Sequence, residues 1–444
     1  MLIRVCLGLM VMIAIPAWSQ AQEDFQDQTI SADDSQMQTP PPISDQPYPT
    51  QTGNEVRSNY LSLGAGFSTG YVDNLYPGAT AAPLSETFYS INPAVSFDER
   101  TGRQQATIAY LSGYTFYHPN SILNFANQSL TALYSYRFTP HVTLVTQYGF
   151  TRTSNLYGQP GQVGTNGVSG SLQPSTQGIL APFASQRTNA VNAELTVQTS
   201  RTVMVGGSFE DMTLHYLNPA QAAGLSDGSA LGGTGFFNRR LGQSQYIGAN
   251  YQYSRMQSSL LNTNFDLLTH TIEAFYTFYF DKNFSVSVAA GPEHYQMQMP
   301  QFPSNGSWTP SAVASLGWQG PTTSFSLSYS RAVGGGGGLI GASTSDIVDA
   351  EARWQISRSW ATGVGANYAN NGNATQFIPA GFVTGHSIAG TATIERRLSA
   401  LLEVQFAYMK IHESYGGIPA LAANPDSSSE TVYLTWQLRR PLGR

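Results

Sequence analysis

The sequence predicts an all-β fold: a transmembrane, antiparallel up-and-down β-barrel of about 18 strands, with short turns at one rim and long loops at the other. Three observations predict it. Apolar and polar residues alternate with period two through most of the chain after Ser58. The composition combines 24 Tyr, 22 Phe and 43 Gly among 444 residues with only 11% charged residues, where soluble domains carry roughly 25%. Short polar connections also alternate with long Gly-, Pro-, Asn- and Ser-rich ones along the whole length.

From the N-terminus, Arg4 precedes the apolar run Val5 to Ile15, which is followed by Pro16, Ala17, Trp18 and Ser19. This is the pattern of a signal peptide over residues 1–21. The apolar run is too short to span a bilayer as a helix, which takes about 20 residues. The single cysteine, Cys6, falls inside this leader, so the mature chain has neither a disulfide framework nor a thiol nucleophile. It does not stand beside the expected cut, which argues against a lipid anchor. Residues 22–57 differ from the rest: they are rich in Gln, Asp, Ser, Thr and Pro, with Thr39-Pro40-Pro41-Pro42 at their centre. Such a stretch is expected to be a disordered periplasmic segment. Its acids (Glu23, Asp24, Asp27, Asp33, Asp34, Asp45, Glu55) face one base, Arg57, and account for most of the net charge of −6. The body from Ser58 onward is therefore close to neutral, and no basic face is offered to a nucleic acid.

Residues 58–444 are expected to form the barrel. No run in them approaches a membrane helix, and the mean hydropathy is −0.19. The last strand shows the alternation most cleanly, with Val432, Leu434, Trp436 and Leu438 on one face and Thr431, Tyr433, Thr435 and Gln437 on the other. Phe325, Leu327 and Tyr329 alternate with four serines, and Leu402, Val404, Phe406 and Tyr408 oppose Glu403, Gln405, Ala407 and Met409. Val191, Ala193, Leu195 and Val197 oppose Asn192, Glu194, Thr196 and Gln198 in the same way. A helix would scatter these residues around its axis. Eight short connections read as periplasmic turns, near Asp98–Arg103, Thr139–His141, Ser200–Arg201, Leu241–Ser244, Asp281–Asn283, Gly320–Thr322, Ser357–Ser359 and Leu398–Ala400. Longer stretches read as extracellular loops: Ser154–Arg187, Tyr216–Ala230, Met297–Trp308, Ala332–Ala342, Asn370–Gly385 and Glu413–Ser428. The strands between them are expected to run roughly 9 to 13 residues, near the length a tilted strand needs to cross. Aromatics beside the turns, as in Tyr134-Ser135-Tyr136-Arg137-Phe138 and Tyr276-Thr277-Phe278-Tyr279-Phe280, suit a membrane interface.

The leader, the polar lead-in and the repeated hairpins together resemble the outer-membrane porin-like barrels of Gram-negative bacteria, especially β-barrel porins associated with exopolysaccharide systems. The resemblance is architectural and covers about Ser58 to Arg444. It implies an outer-membrane location, contact with outer-membrane lipid, insertion by a barrel-assembly machinery, and either a homo-oligomer or a single barrel. Such barrels commonly end in an aromatic residue; this chain ends Leu438-Arg439-Arg440-Pro441-Leu442-Gly443-Arg444, so Trp436 or Leu438 is expected to close the last strand.

Function then rests on the lumen. The alternation points Glu194, Glu210, Glu273, Glu293, Asp349, Glu351, Arg353, Glu395, Arg397 and Glu403 inward as pore-lining candidates, with Arg137 near a periplasmic end. Opposed acidic and arginine groups could select solutes by a transverse field; equally they could pair with one another. The expected function is a channel for small polar solutes, saccharides among them. The alternatives are an exopolysaccharide-export barrel working with periplasmic partners, with residues 22–57 as its tether, and a barrel enzyme acting at the outer rim. No enzyme is expected: His118, His141, His215, His270, His294, His386 and His412 show no metal-ligand spacing, and no nucleophile elbow is present. Gly334 to Gly338 lacks the Lys-Ser or Lys-Thr of a phosphate loop and reads as a loop. No cofactor and no metal are expected.

Overall fold

Side chains that alternate between two environments suit a strand with one face in each, and eighteen such strands form. In the computed structural model the described residues are 37, 40, 43, 60–75, 83–153, 185–218, 227–260, 263–281, 283–299, 302–334, 342–374, 384–416 and 425–442. The expected leader, most of the expected disordered segment and most of the Ser154–Arg187 loop lie outside them.

The strands are β1 (Tyr60–Val72), β2 (Glu86–Arg100), β3 (Gln104–His118), β4 (Phe125–Thr139), β5 (Val142–Thr153), β6 (Gln186–Ser200), β7 (Val203–Tyr216), β8 (Asp227–Arg240), β9 (Gln245–Leu260), β10 (Thr263–Asp281), β11 (Phe284–Met299), β12 (Phe302–Gln319), β13 (Thr323–Gly334), β14 (Ser343–Ser357), β15 (Trp360–Asn373), β16 (Thr384–Arg397), β17 (Leu402–Gly416) and β18 (Asp426–Leu442). One 3-10 turn, Ser121–Leu123, joins β3 to β4. Each strand pairs antiparallel with the next. The ring closes through β1 and β18, from Leu61 opposite Leu442 to Val72 opposite Thr431, so every described strand has two neighbours and the sheet presents no open edge strand.

All eight short connections fall at one rim. The Gly-rich Leu231–Arg240 segment, the weakest alternation in the sequence, is the body of β8. The strand ends differ from expectation. Strands run from 12 to 19 residues, and the stretch Met297–Trp308, expected as a loop, instead belongs to β11 and β12, which pair up to Met299 opposite Phe302. The reason is that the hydrogen-bonded ladder continues past the apolar zone through Ser, Asn and Gln, whereas a reading by hydrophobicity stops where the apolar residues stop. One seam is shorter than the rest: β12 and β13 pair only from Ala312 opposite Arg331 to Gln319 opposite Ser324.

Outward positions are apolar and exposed: Leu61, Leu63 and Phe67 on β1, Ile91 and Val95 on β2, Val191 and Leu195 on β6, Val364 on β15, Ile388 and Ile394 on β16. Aromatic girdles bound this band. Phe97, Phe138, Phe280, Trp318, Trp354 and Trp360 stand near the short-turn rim, and Tyr71, Tyr89, Tyr114, Phe116, Tyr251, Trp308 and Tyr368 near the other. At the short-turn girdle Arg396 lies over the Trp360 ring, 4.9 Å from its centroid, a cation on an aromatic face at the height where a membrane turns polar.

Candidate functional site: the inner wall of the barrel

The inner wall is polar because the positions between the apolar ones carry Ser, Thr, Asn, Gln, Glu and Arg. Hydroxyls bond across the ladder, as Ser68 Oγ to Thr435 Oγ1 at 2.9 Å and Thr277 Oγ1 to Ser287 Oγ at 2.9 Å. Bulky inward side chains are held flat against the wall by glycines opposite them. Phe88 faces Gly70, Phe236 faces Gly206, Phe275 faces Gly248 and Tyr415 faces Gly385. A Cβ on Gly248 would come within 2.3 Å of the Phe275 ring, so the ring lies along the sheet only because that position has no side chain.

With apolar residues outward, polar ones inward and every strand paired, the architecture is decided. The fold is a closed, eighteen-strand antiparallel β-barrel. No protein-family model and no curated protein matches the chain. Among solved structures it is similar to the outer membrane protein OpdK from Pseudomonas aeruginosa, at 9% identity over 86% of this chain and 99% of that chain, with a TM-score of 0.41. It is similar to OccK2 (OpdF) from the same species, solved in complex with glucuronate, at 8% identity over 85% and 98% of the two chains, TM-score 0.40. It is also similar to the FrpB iron transporter from Neisseria meningitidis, at 10% identity over 87% and 82%, TM-score 0.41.

The register places all ten sequence-selected residues of the inner wall on the inward side, and Arg137 too, at the short-turn end of β4. They fall into separate groups. Four of them, Arg353, Glu395, Arg397 and Glu403, line one recess at the short-turn rim together with Gln355, Arg358, Ser359 and Ala361. Arg353 Nη2 bonds Glu395 Oε2 at 2.9 Å, and Gln405 Nε2 bonds Glu395 Oε1 at 3.1 Å. Arg353 and Glu395 sit two strands apart, on β14 and β16. They meet because the strand between them presents Gly363 opposite Arg353 and Ala361 opposite Glu395, residues too small to obstruct the contact. Arg397 and Glu403 are direct partners across β16 and β17.

Glu273 and Glu293 form a second group on β10 and β11, with no base among their hydrogen-bond partners in the described residues. Asn250 Nδ2 and Ser311 Oγ donate to Glu273 at 3.1 and 2.7 Å. The backbone N–H of Val333 donates to Glu293 at 2.9 Å. That N–H is available because β13 has left the β12 ladder by this height, so the carboxylate takes the place of a missing strand partner. Asp349 accepts from Asn367 of β15. Glu351 is exposed on the inner wall. Glu194 and Glu210 lie on β6 and β7, and Glu210 leans across Gly232 of β8, where a Cβ would meet its Cγ at 3.0 Å.

Three inward features escaped the sequence reading. Glu86, 1% exposed, accepts from the side chain and backbone of Asn120 in the β3–β4 connection. Glu413, also 1% exposed, has no hydrogen-bond partner for either carboxylate oxygen among the described residues. Met37 is buried against Met204, Phe236 and Tyr246 on the inner wall, with Ile43 and Tyr279 beside them, and its N–H donates to Gln198 Oε1 at 3.2 Å. Part of the segment before β1 therefore docks inside the barrel near the short turns. A Met-and-aromatic contact of this kind has no periodic signature in sequence.

Proposed function

We propose that this chain is an outer-membrane channel, a conduit rather than a catalyst, through which small polar solutes pass along the inner wall. The observation that carries the reading is the division of one closed sheet into an apolar outer face between aromatic girdles and an inner face of hydroxyls, amides and charges. An eighteen-strand ring is wide enough to hold water, and a hydrated solute exchanges water for wall groups of the same hydrogen-bonding kind. The short turns face the periplasm and the long connections the exterior, as in bacterial barrels generally. The Ser, Thr, Asn and Gln lining would accept neutral saccharides, while the Arg353–Glu395 and Arg397–Glu403 pairs set alternating charge near the periplasmic mouth.

Reconstitution of the folded protein in a planar bilayer tests this. Stable single-channel steps in salt are expected, with partial block of the current by neutral oligosaccharides. Silence from protein that migrates as a folded barrel would overturn the channel, and conductance indifferent to oligosaccharides would remove the saccharide route.

A further inference from the structure

The outer wall near the long-loop rim follows a rule in its charges, and one place breaks it. Arg331 stands opposite Asp346 across β13 and β14 and pairs with it at 3.5 Å. Lys410 stands opposite Glu430 across β17 and β18 and pairs at 2.8 Å. Arg255 reaches Asp266 across β9 and β10 at 3.2 Å. On β5 and β6, by contrast, Arg152 stands directly opposite Arg187. Both are exposed, and neither has a carboxylate partner among the described residues. Like charges placed opposite each other in a ladder repel. The row continues to His215 on β7, whose ring contacts Asp227 at 2.5 Å. Asp227 also accepts from the Tyr216 N–H at 2.8 Å, so this nearest acid is engaged on the far side of the row.

Depth identifies what would neutralise the pair. Along β6 the outward residues run Arg187, Asn189, Val191, Ala193, Leu195, from charged to amide to apolar in eight residues, or about 26 Å of strand. In the row just below the arginines, Tyr148 Oη donates to Asn189 Oδ1 at 3.4 Å, and Asn189 Nδ2 donates to Thr213 Oγ1 at 3.2 Å. Two cationic forks stand above an amide–hydroxyl row, and in the next row β6 is apolar while β7 presents the exposed Asp211 opposite Val191; the order along β6 matches the phosphate, the polar linkage and the chains of a lipid. Guanidinium forks bind phosphate oxygens in pairs.

We propose that Arg152 and Arg187 clamp the phosphorylated headgroup of a lipid in the leaflet at the long-loop rim. This rests on the membrane orientation given above, although not on conduction.

The test uses the full chain, folded in detergent, and lipid A as the probe, with retention read by native mass spectrometry. Wild type is expected to hold lipid A, and R152Q/R187Q to hold it about tenfold more weakly, the scale of a lost charge-assisted contact. R396Q, which removes an outward arginine at the opposite rim, is expected to bind like wild type. Lipid A stripped of its phosphates should bind wild type as weakly as intact lipid A binds the double variant. Equal retention by wild type and R152Q/R187Q, or equal loss in R396Q, would overturn the site. Full displacement by millimolar inorganic phosphate would overturn a lipid as the occupant. Heat-modifiable migration of each variant confirms that it is folded, and R152K/R187K, which keeps charge without the fork, is expected to fall between the two. A silent channel in a separate bilayer recording would sink the conduit reading and leave the lipid result standing.

Discussion

Two pairs of carboxylates on the inner wall are satisfied in opposite ways. Glu395, at the short-turn mouth, accepts a bond from Arg353 at 2.9 Å, and Glu403 stands opposite Arg397 in the ladder, so each carboxylate has an arginine beside it. Glu273 and Glu293, on β10 and β11, accept from an amide, a hydroxyl and a backbone N–H. Neutral donors steady a carboxylate without cancelling its charge. The mouth region therefore carries local fields that fade quickly with distance, while the carboxylates of the β10–β11 region have no base opposite them among the described residues. Both are polar linings, yet only the second should favour one sign of ion.

The comparison can be broken most forcefully at Arg353. R353A removes the guanidinium bonded to Glu395, and is expected to cost about 2 kcal/mol, below the figure for a fully buried pair because the arginine is partly exposed. Equilibrium unfolding in urea, with the barrel in lipid vesicles, measures it. A smaller loss, about 1 kcal/mol in the same assay, is expected for S311A, which removes the hydroxyl shared between Glu273 and the Arg331 carbonyl. The smallest stability effect, within about 0.5 kcal/mol of wild type, belongs to E273Q, because an amide can occupy the same bonds. That substitution is the sharpest functional probe: the reversal potential under a salt gradient should move toward lower cation preference. If E273Q destabilised as much as R353A, or left selectivity untouched while R353A changed it, the contrast between the two regions would be wrong.

Much of this fold was legible because period-two alternation and turn chemistry are local properties. The eight short turns and the count of strands came from residues adjacent in sequence, even for the Gly-rich β8. Strand ends were less legible. Ser427, Ser428 and Ser429 look like loop by composition, but they extend the β17–β18 ladder, and the Met297–Trp308 stretch holds a hairpin between polar residues. The inward direction of the ten lining candidates followed from parity alone. Their grouping did not: the Arg353–Glu395 contact depends on Gly363 and Ala361 of the intervening strand, and the Val333 N–H that serves Glu293 exists only because β13 leaves β12 early. Glu86 and Met37 were missed for a similar reason, since the groups each contacts come from a distant part of the chain. The Arg152–Arg187 opposition spans the Ser154–Arg187 connection and becomes visible only once the register is known.

The ladder between β1 and β18 joins the first strand to the last, pairing Leu61 with Leu442. Its contacts have the greatest sequence separation in the molecule, so their formation must wait until all the intervening hairpins are in place. Until then the nascent sheet exposes two unpaired edges that could recruit strands from other chains. The same seam that gives the finished barrel its permanence makes its unfinished form the most vulnerable to aggregation, and ties the arrival of the C-terminal strand to the moment of commitment.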